Sequence, residues 1–307
     1  MRIILLGADG RLGTALRRVL PQYAWIAPTR EALDVLDRAA VDAYLAAHPA
    51  DVLVNAIADN RVDDAETDPA PAQRLNADLP GLLAEAAAAH DMPFVHFSTD
   101  YEFDGTKRDG YVESDEPHPL SVYGRTKAEG TKRALGKNPR AYVVRLSRLY
   151  GEPGTFPGAK RSFVEIILDQ ASREARFEVN DAEVSAPTWV DDVARHLDQY
   201  ILQPSSLLPT THDPRPLSPG LYHMANQGGA TWYEWAKAII ELKGLPNEIV
   251  PRAPTARPAK RPAFSALRST KIPPMRPWRE ALEEYLCCHP EGAQRPRDPL
   301  DSSLCSE

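Results

Sequence analysis

The sequence predicts an α/β fold, a doubly wound parallel sheet with a smaller, interleaved domain built mainly from the C-terminal half. Three observations carry that prediction. The chain opens on a short apolar run, Arg2-Ile3-Ile4-Leu5-Leu6, that breaks into three glycines and continues with helical spacing at Leu12, Leu16, Val19 and Leu20. Further apolar runs then alternate with helical segments through the first half, the rhythm of strands joined by crossover helices. Beyond residue 200 the prolines thicken, and Gln203 to Gly220 and Val250 to Pro277 interrupt any long helix.

Size and composition set outer bounds. With 307 residues, 43% apolar and 26% charged, the chain has the make-up of a soluble globular protein with a sizeable core. Its net charge of −7 argues against general nucleic-acid binding, which favours a basic face. No apolar run approaches the ~20 residues that span a bilayer, and the opening run is too short for a signal peptide. Cys287, Cys288 and Cys305 lack metal-type spacing, so neither zinc nor a disulfide framework is expected, and a reducing, cytoplasmic location fits best. Residues 287–307 are polar and aperiodic and read as a disordered tail.

Taken in order, the first strand ends in Gly7-Ala8-Asp9-Gly10-Arg11-Leu12-Gly13. Strand, glycine turn and helix form the context of a Rossmann-type dinucleotide site. Gly7 and Gly10 would let the backbone approach a pyrophosphate, Gly13 would let the helix pack closely, and the helix N-terminus would supply amide donors. The spacing is Gly-x-x-Gly-x-x-Gly, and a turn without a ligand is the alternative. The second strand, Ala24 to Ala27, ends at Pro28-Thr29-Arg30. Where an acid would hold an unphosphorylated ribose, Arg30 stands, so NADP(H) is favoured over NAD(H); a solvated surface Arg is the bland alternative.

Asp34 to His48 reads as an edge segment plus a helix, and Asp51 to Ala58 as a buried strand whose small residues Ala56, Ile57 and Ala58 would lie along a cofactor ring. Gln73 to His90 reads as one long helix carrying Asn76, followed by a strand from Phe94 to Ser98 that delivers Thr99. Tyr123 and Lys127 come next, four apart and therefore on one helix face. A phenol titrates near ~10, and a neighbouring ammonium favours the phenolate, so the pair reads as a proton-delivery device for a ketone, with the Thr99 hydroxyl polarising the carbonyl oxygen. Ala141 to Leu146 supplies a further strand. Gly7, Ala56, Thr99 and Ser147 all fall at carboxyl ends of strands, the edge where such sheets bind ligands.

These residues resemble the extended short-chain dehydrogenase/reductase family, and within it the dTDP-4-dehydrorhamnose reductase group. The resemblance rests on the glycine motif, Val62-Asp63-x-Ala65-Glu66, Asn76, Ser98-Thr99-Asp100-Tyr101-x-Phe103-Asp104-Gly105 and Tyr123-Gly124-x-Thr126-Lys127. It continues through Arg145-x-Ser147-x-x-Tyr150-Gly151, Pro187-Thr188, Gly220-x-Tyr222-His223 and Arg261-Pro262-x-x-Ser265, in family order to about residue 286. It implies a cofactor domain over 1–147, rejoined by a return segment near 188–202, and a substrate domain mainly over 148–286 that holds a nucleotide sugar. Thr99, Tyr123 and Lys127 take the catalytic roles, with Lys127 also holding the nicotinamide ribose and lowering the Tyr123 pKa. Gly7, Asp9, Gly10, Arg11, Leu12, Gly13, Thr29, Arg30, Ala56, Ile57, Ala58, Asn76, Ser98, Tyr123 and Lys127 would surround the cofactor. Tyr101, Arg148 and Arg261 would meet the substrate, and a homodimer is compatible with the pattern.

Three departures fall where substrate is expected: Arg148 replaces an aromatic, Glu102 replaces a Val, and Asp59-Asn60-Arg61 replaces a Tyr-Thr pair. They leave two other readings open. One is a non-catalytic NADP-binding regulatory subunit, similar to the beta subunit of methionine adenosyltransferase. The other is an NAD-dependent sugar-nucleotide epimerase or dehydratase of the same superfamily. Among other suggestive residues, His96 reads as a packed core residue, Asp63, Asp64 and Glu66 as a solvated acidic turn, and Trp232, Tyr233 and Trp235 as a packing face.

Overall fold

Strand β1 (Arg2–Leu6) sends alternate side chains into two cores. Ile3 and Leu5 join Leu12 and Leu16 of helix α1 (Arg11–Val19), while Ile4 and Leu6 join Leu53, Leu83 and Val143. Burial on both faces is what an unbroken apolar run requires of a parallel strand. This computed structural model describes residues 1–156, 159–203 and 217–288. After α1 come β2 (Ala24–Ile26), α2 (Arg38–Ala47), β3 (Val52–Asn55), the single turns α3 (Asp64–Thr67) and α4 (Pro69–Ala72), and α5 (Leu79–Ala89). Then follow β4 (Phe94–Thr99), α6 (Val122–Lys137), β5 (Ala141–Leu146), β6 (Leu149–Tyr150), α7 (Phe163–Arg173), β7 (Arg176–Asn180) and β8 (Thr188–Trp189). The chain closes with α8 (Val190–Leu197), β9 (Gly220–His223), α9 (Trp232–Lys243), β10 (Glu248–Arg252) and α10 (Trp278–Cys288).

Six strands form one all-parallel sheet in the order β2-β1-β3-β4-β5-β9. Parallel neighbours need crossovers, and the helices supply them on both faces: α1 packs on α8 on one side, α2, α5 and α6 pack together on the other. The order reverses between β1 and β3, which opens the crevice where doubly wound sheets bind ligands. This is the α/β, Rossmann-type architecture the sequence predicts. Two small parallel pairs, β6 with β8 and β7 with β10, lie outside the main sheet. Helices α7 and α9 each start with a reciprocal capping box, Ser162 with Glu165 and Thr231 with Glu234, which satisfies end amides that burial would otherwise orphan.

Several boundaries differ from expectation for local reasons. Residues 34–37 form turns instead of an edge strand, and Asp37 caps α2 by accepting the N–H groups of Ala39 and Ala40. The strand expected over 51–58 pairs only through Asn55, whose side-chain oxygen accepts the Ile57 N–H at 3.0 Å and turns the chain. The helix expected over 73–90 begins as a π-helical turn, Gln73–Asp78, and becomes α-helical at Leu79, where Pro80 needs no N–H partner. Cys287 and Cys288, read as tail, complete α10; the rest of that tail, 289–307, and residues 204–216 of the proline-rich loop lie outside the described residues. Among the described residues, no helix is long and apolar enough to cross a membrane.

Candidate active site

The glycine turn after β1 has the shape its spacing predicts. Gly7 adopts φ +79°, and a Cβ there would approach the Ala56 carbonyl carbon to 2.9 Å. A Cβ on Gly13 would fall 2.3 Å from the Gly7 carbonyl oxygen, so only glycine lets α1 seat against the turn. Gly10 stands at the N-cap and no side chain caps the first turn of α1, the arrangement of a helix end open to an anion. Leu12 is buried in the core below. The Arg11 side chain is spoken for elsewhere: its guanidinium donates to the carbonyls of Gly151, Glu152 and Lys160, and burial lowers its pKa. Thr155 N–H donates to the Asp9 carbonyl at 2.8 Å, so the segment after β6 lies over the turn. Thr29 and Arg30 are both exposed beyond the end of β2.

The crevice wall comes from the end of β3. Ala56, Ile57 and Ala58 are partly exposed between buried Asn55 and buried Asp59. Asn76, wholly buried in the π-helical turn, accepts the Asp59 N–H at 2.8 Å and donates to the Asp59 carbonyl at 2.9 Å. It therefore fixes the wall: its side chain, expected around the cofactor, serves the backbone of its own chain. The Asn55 amide, oriented by Ile57, donates to His96 Nδ1 at 3.2 Å. His96 is fully buried, the packed core residue expected, and burial with Lys127 nearby holds its pKa far below the ordinary value.

Thr99 ends β4. Its hydroxyl accepts the Tyr101 N–H at 3.2 Å and donates to Asp100 Oδ1 at 3.1 Å. Tyr123 lies in the first turn of α6, and Ser121 and Glu66 hold that turn by accepting the N–H groups of Gly124 (3.1 Å) and Val122 (2.7 Å). The phenol is buried, donates to Asn60 Oδ1 at 3.4 Å and meets the Tyr101 ring edge-on at 5.7 Å between centroids. Lys127, one turn on, is buried and donates to the Phe97 carbonyl at 2.6 Å. Burial lowers the Lys127 pKa to about 8, against the pull of Glu102. The expected downward push on Tyr123 is not what the structure gives. Burial raises the phenol above its ordinary value, Asp100, Tyr101 and Glu102 add to that, and only the Thr99 hydroxyl works in the other direction. A buried phenol that stays protonated through neutral pH is suited to donating a proton.

Sequence reasoning missed Asp100. Its buried Oδ2 accepts from Ser147 at 2.9 Å and from Ser265 at 2.6 Å, while Oδ1 holds Thr99. Burial raises its carboxyl pKa, opposed by these hydroxyls. One member from each of three quoted motifs meets here, which is the signal that could have found it.

On the substrate side the structure corrects several readings. Glu102 does not line a pocket. It is fully buried and paired with buried Arg145 at 2.6 Å, and the Ser98 hydroxyl, expected beside the cofactor, donates to it at 2.5 Å. Asp63 and Glu66 are not a solvated turn: Glu66 caps α6, and Asp63 takes a two-pronged ion pair from Arg261 at 3.0 and 2.7 Å. Arg261 is thus engaged across the chain by a carboxylate of the protein itself. Arg148, at φ +32°, stacks over Trp232 at 4.0 Å and donates to the carbonyls of Ala230 (2.8 Å) and Glu183 (2.7 Å). Burial lowers its pKa to about 10, against Tyr101, Asp100 and Glu183. Tyr101, partly buried nearby, has its own pKa raised to about 12, mainly by desolvation. Arg61 folds back on Asp59 at 2.7 Å, next to the Asn60 that meets Tyr123. Among the described residues no group of three or more His, Cys, Asp or Glu is placed to hold a metal.

Comparison with known proteins agrees with this geometry. A family model described as the RmlD substrate binding domain matches residues 1–288. A Streptomyces antibioticus protein named as a probable dTDP-4,6-dihydroxy-2-methyloxan-3-one 4-ketoreductase is 39% identical, over 92% of this chain and 94% of its own. A dTDP-4-dehydrorhamnose reductase of Mycolicibacterium smegmatis is 34% identical, over 92% of this chain and 84% of its own. The solved structure of a dTDP-4-dehydrorhamnose reductase from Bacillus anthracis in complex with NADP superposes with a TM-score of 0.83 at 26% identity, covering 94% of this chain and 99% of that one. The glycine cradle, the crevice at the sheet's reversal point and the Thr99–Tyr123–Lys127 cluster thus sit in a chain that belongs to the RmlD substrate binding domain family, among the homologues of the dTDP-4-dehydrorhamnose reductases.

Proposed function

We propose that this protein is an NADPH-dependent reductase of a 4-keto nucleotide sugar, working in the cytoplasm. The observation that carries the reading is the meeting of Thr99, Tyr123 and Lys127 at the end of β4, beside a glycine turn that a Cβ would fill. The relatives named as 4-keto sugar reductases, and the relative solved with NADP, support the substrate class and the cofactor. The residues fit that cofactor: the turn from Gly7 to Gly13 would take the pyrophosphate, Ala56 to Ala58 would flank it, and Arg30 would meet the 2′-phosphate.

NADPH supplies the hydride for the C4 carbonyl carbon. The protein's residues manage the oxygen and its proton. Thr99 orients the carbonyl oxygen, and Tyr123 delivers its phenolic proton to it. A phenol raised by burial is a weak acid in the free protein, so its proton moves only when negative charge grows on the oxygen, as general acid catalysis requires. Lys127, held by Phe97, keeps a positive charge one turn away and would hold the nicotinamide ribose. Thr99, Asp100, Ser147 and Ser265 connect the proton donor's surroundings to the segment over the substrate. The test is NADPH oxidation against a panel of 4-keto nucleotide sugars, dTDP-4-dehydrorhamnose included. Turnover with at least one member is expected. NADPH binding without turnover on any member would overturn the reductase reading.

A further inference from the structure

Glu102 is fully buried, and its carboxylate joins three elements of the catalytic end of the sheet. Oε1 accepts from Ser98 Oγ at 2.5 Å and from Thr131 Oγ1 at 2.7 Å. Oε2 accepts from Arg145 Nε at 2.8 Å and Nη2 at 2.6 Å. Ser98 immediately precedes Thr99 on β4. Thr131 continues the stripe of α6 that carries Tyr123 and Lys127, since residues four apart share a helix face. Arg145 is itself buried, lies 4.8 Å over the Phe103 ring and approaches His223 Nε2 at 3.3 Å, so the carboxylate is gripped from strand, helix and neighbouring strand at once. A buried ionised pair is costly unless every oxygen is satisfied, and here each oxygen accepts two hydrogen bonds.

We infer that Glu102 is a positioning residue for the proton-transfer step: it ties the strand end bearing Thr99 to the helix face bearing Tyr123 and Lys127. The inference rests on the reductase reading above. Its charge acts as well as its geometry. Lys127 faces Glu102 from the turn after β4, His96 from β4 and Tyr123 on its own helix, while Arg145 holds the far carboxylate oxygen and Asp100 faces Tyr123. Of these, Glu102 is the group that favours the Lys127 ammonium. Removing its charge also leaves the Arg145 cation uncompensated nearby, and both changes disfavour a second positive charge at Lys127.

Two variants of the full chain test this. Glu102→Gln keeps an oxygen acceptor and removes the charge. The alkaline limb of kcat, and the pH above which NADPH affinity declines, should both move down by about one pH unit, because the Lys127 ammonium is lost earlier. Thr131→Val leaves the Glu102–Arg145 pair in place and cuts only the tie to the helix. It should lower kcat roughly 3–10-fold through misplacement of the donor, with NADPH affinity unchanged, and Thr131→Ser should restore the parent rate. A Glu102→Gln profile that superimposes on the parent in both readouts would overturn the charge argument, and a Thr131→Val enzyme with the parent kcat would overturn the positioning role. Absence of turnover by the parent itself would instead count against the reductase reading, and the NADPH titration against pH would still decide the Lys127 effect.

Discussion

In the proposed reading, Arg30 is the residue on which cofactor choice would turn. It is exposed just past β2, at the position where an acid would otherwise meet the ribose hydroxyls, and no ion pair of the described residues engages it. A guanidinium there matches a 2′-phosphate and gains nothing from a 2′-hydroxyl. Arg30→Ala should weaken NADPH by about 1–3 kcal/mol, the scale of a lost charged hydrogen bond, and leave NADH nearly unchanged. Titration calorimetry with both cofactors checks this, and equal losses would remove Arg30 from the site. The glycine turn and the exposed end of β2 were readable in the sequence because the information is local: a glycine, a strand end and the residue after it. Glu102 was not. It was set on the substrate side because it stands where the family has a Val, but the tight turn after β4 sends its side chain into the core, to Arg145. Asp100 was overlooked because its partners lie at 147 and 265, in separate motifs that sequence order alone does not bring together.

At the level of elements, the segment 259–268 crosses the carboxyl end of the sheet and is fastened at intervals. Arg261 grips Asp63, Ser265 Oγ donates to Asp100 while its N–H donates to the Val184 carbonyl, and Arg268 N–H donates to the Tyr111 carbonyl. A Cβ on Gly105 would fall 2.5 Å from the Ala263 nitrogen, so the approach is close. Arg261 was legible as important, since the Arg-Pro-x-x-Ser motif drew attention to it, but its partner was taken to be a substrate phosphate. The structure gives it Asp63, a residue 198 positions away. Arg261→Ala should therefore loosen the strap: chemical denaturation should show a loss of about 1–2 kcal/mol, between the values for exposed and buried pairs because Asp63 is partly exposed. KM for the sugar should rise while NADPH affinity holds. An unchanged KM, with the same stability loss, would show that the strap has no part in the substrate site.

Across the whole molecule, the fold was the most legible feature. Predominantly apolar runs in β1, β3, β4 and β5 demand burial on both faces, and only helices on both sides of a parallel sheet provide it. What the sequence pattern hid was the sixth strand: Gly220–His223 is short and follows a proline-rich stretch, yet it pairs with β5 from Tyr142 to Arg145. By returning there, the chain brings His223 to Arg145 and thus closes the buried network behind the catalytic residues. We propose that this convergence makes Tyr123 the proton donor of a ketone reductase. Tyr123→Phe removes one hydroxyl and nothing that would hold the pyrophosphate or the adenosine. With a 4-keto nucleotide sugar turned over by the parent, single-turnover NADPH oxidation by Tyr123→Phe should fall by ~10²–10⁴-fold while the NADPH dissociation constant stays at the parent value. A variant that oxidises NADPH at the parent rate would show that Tyr123 is not the proton donor.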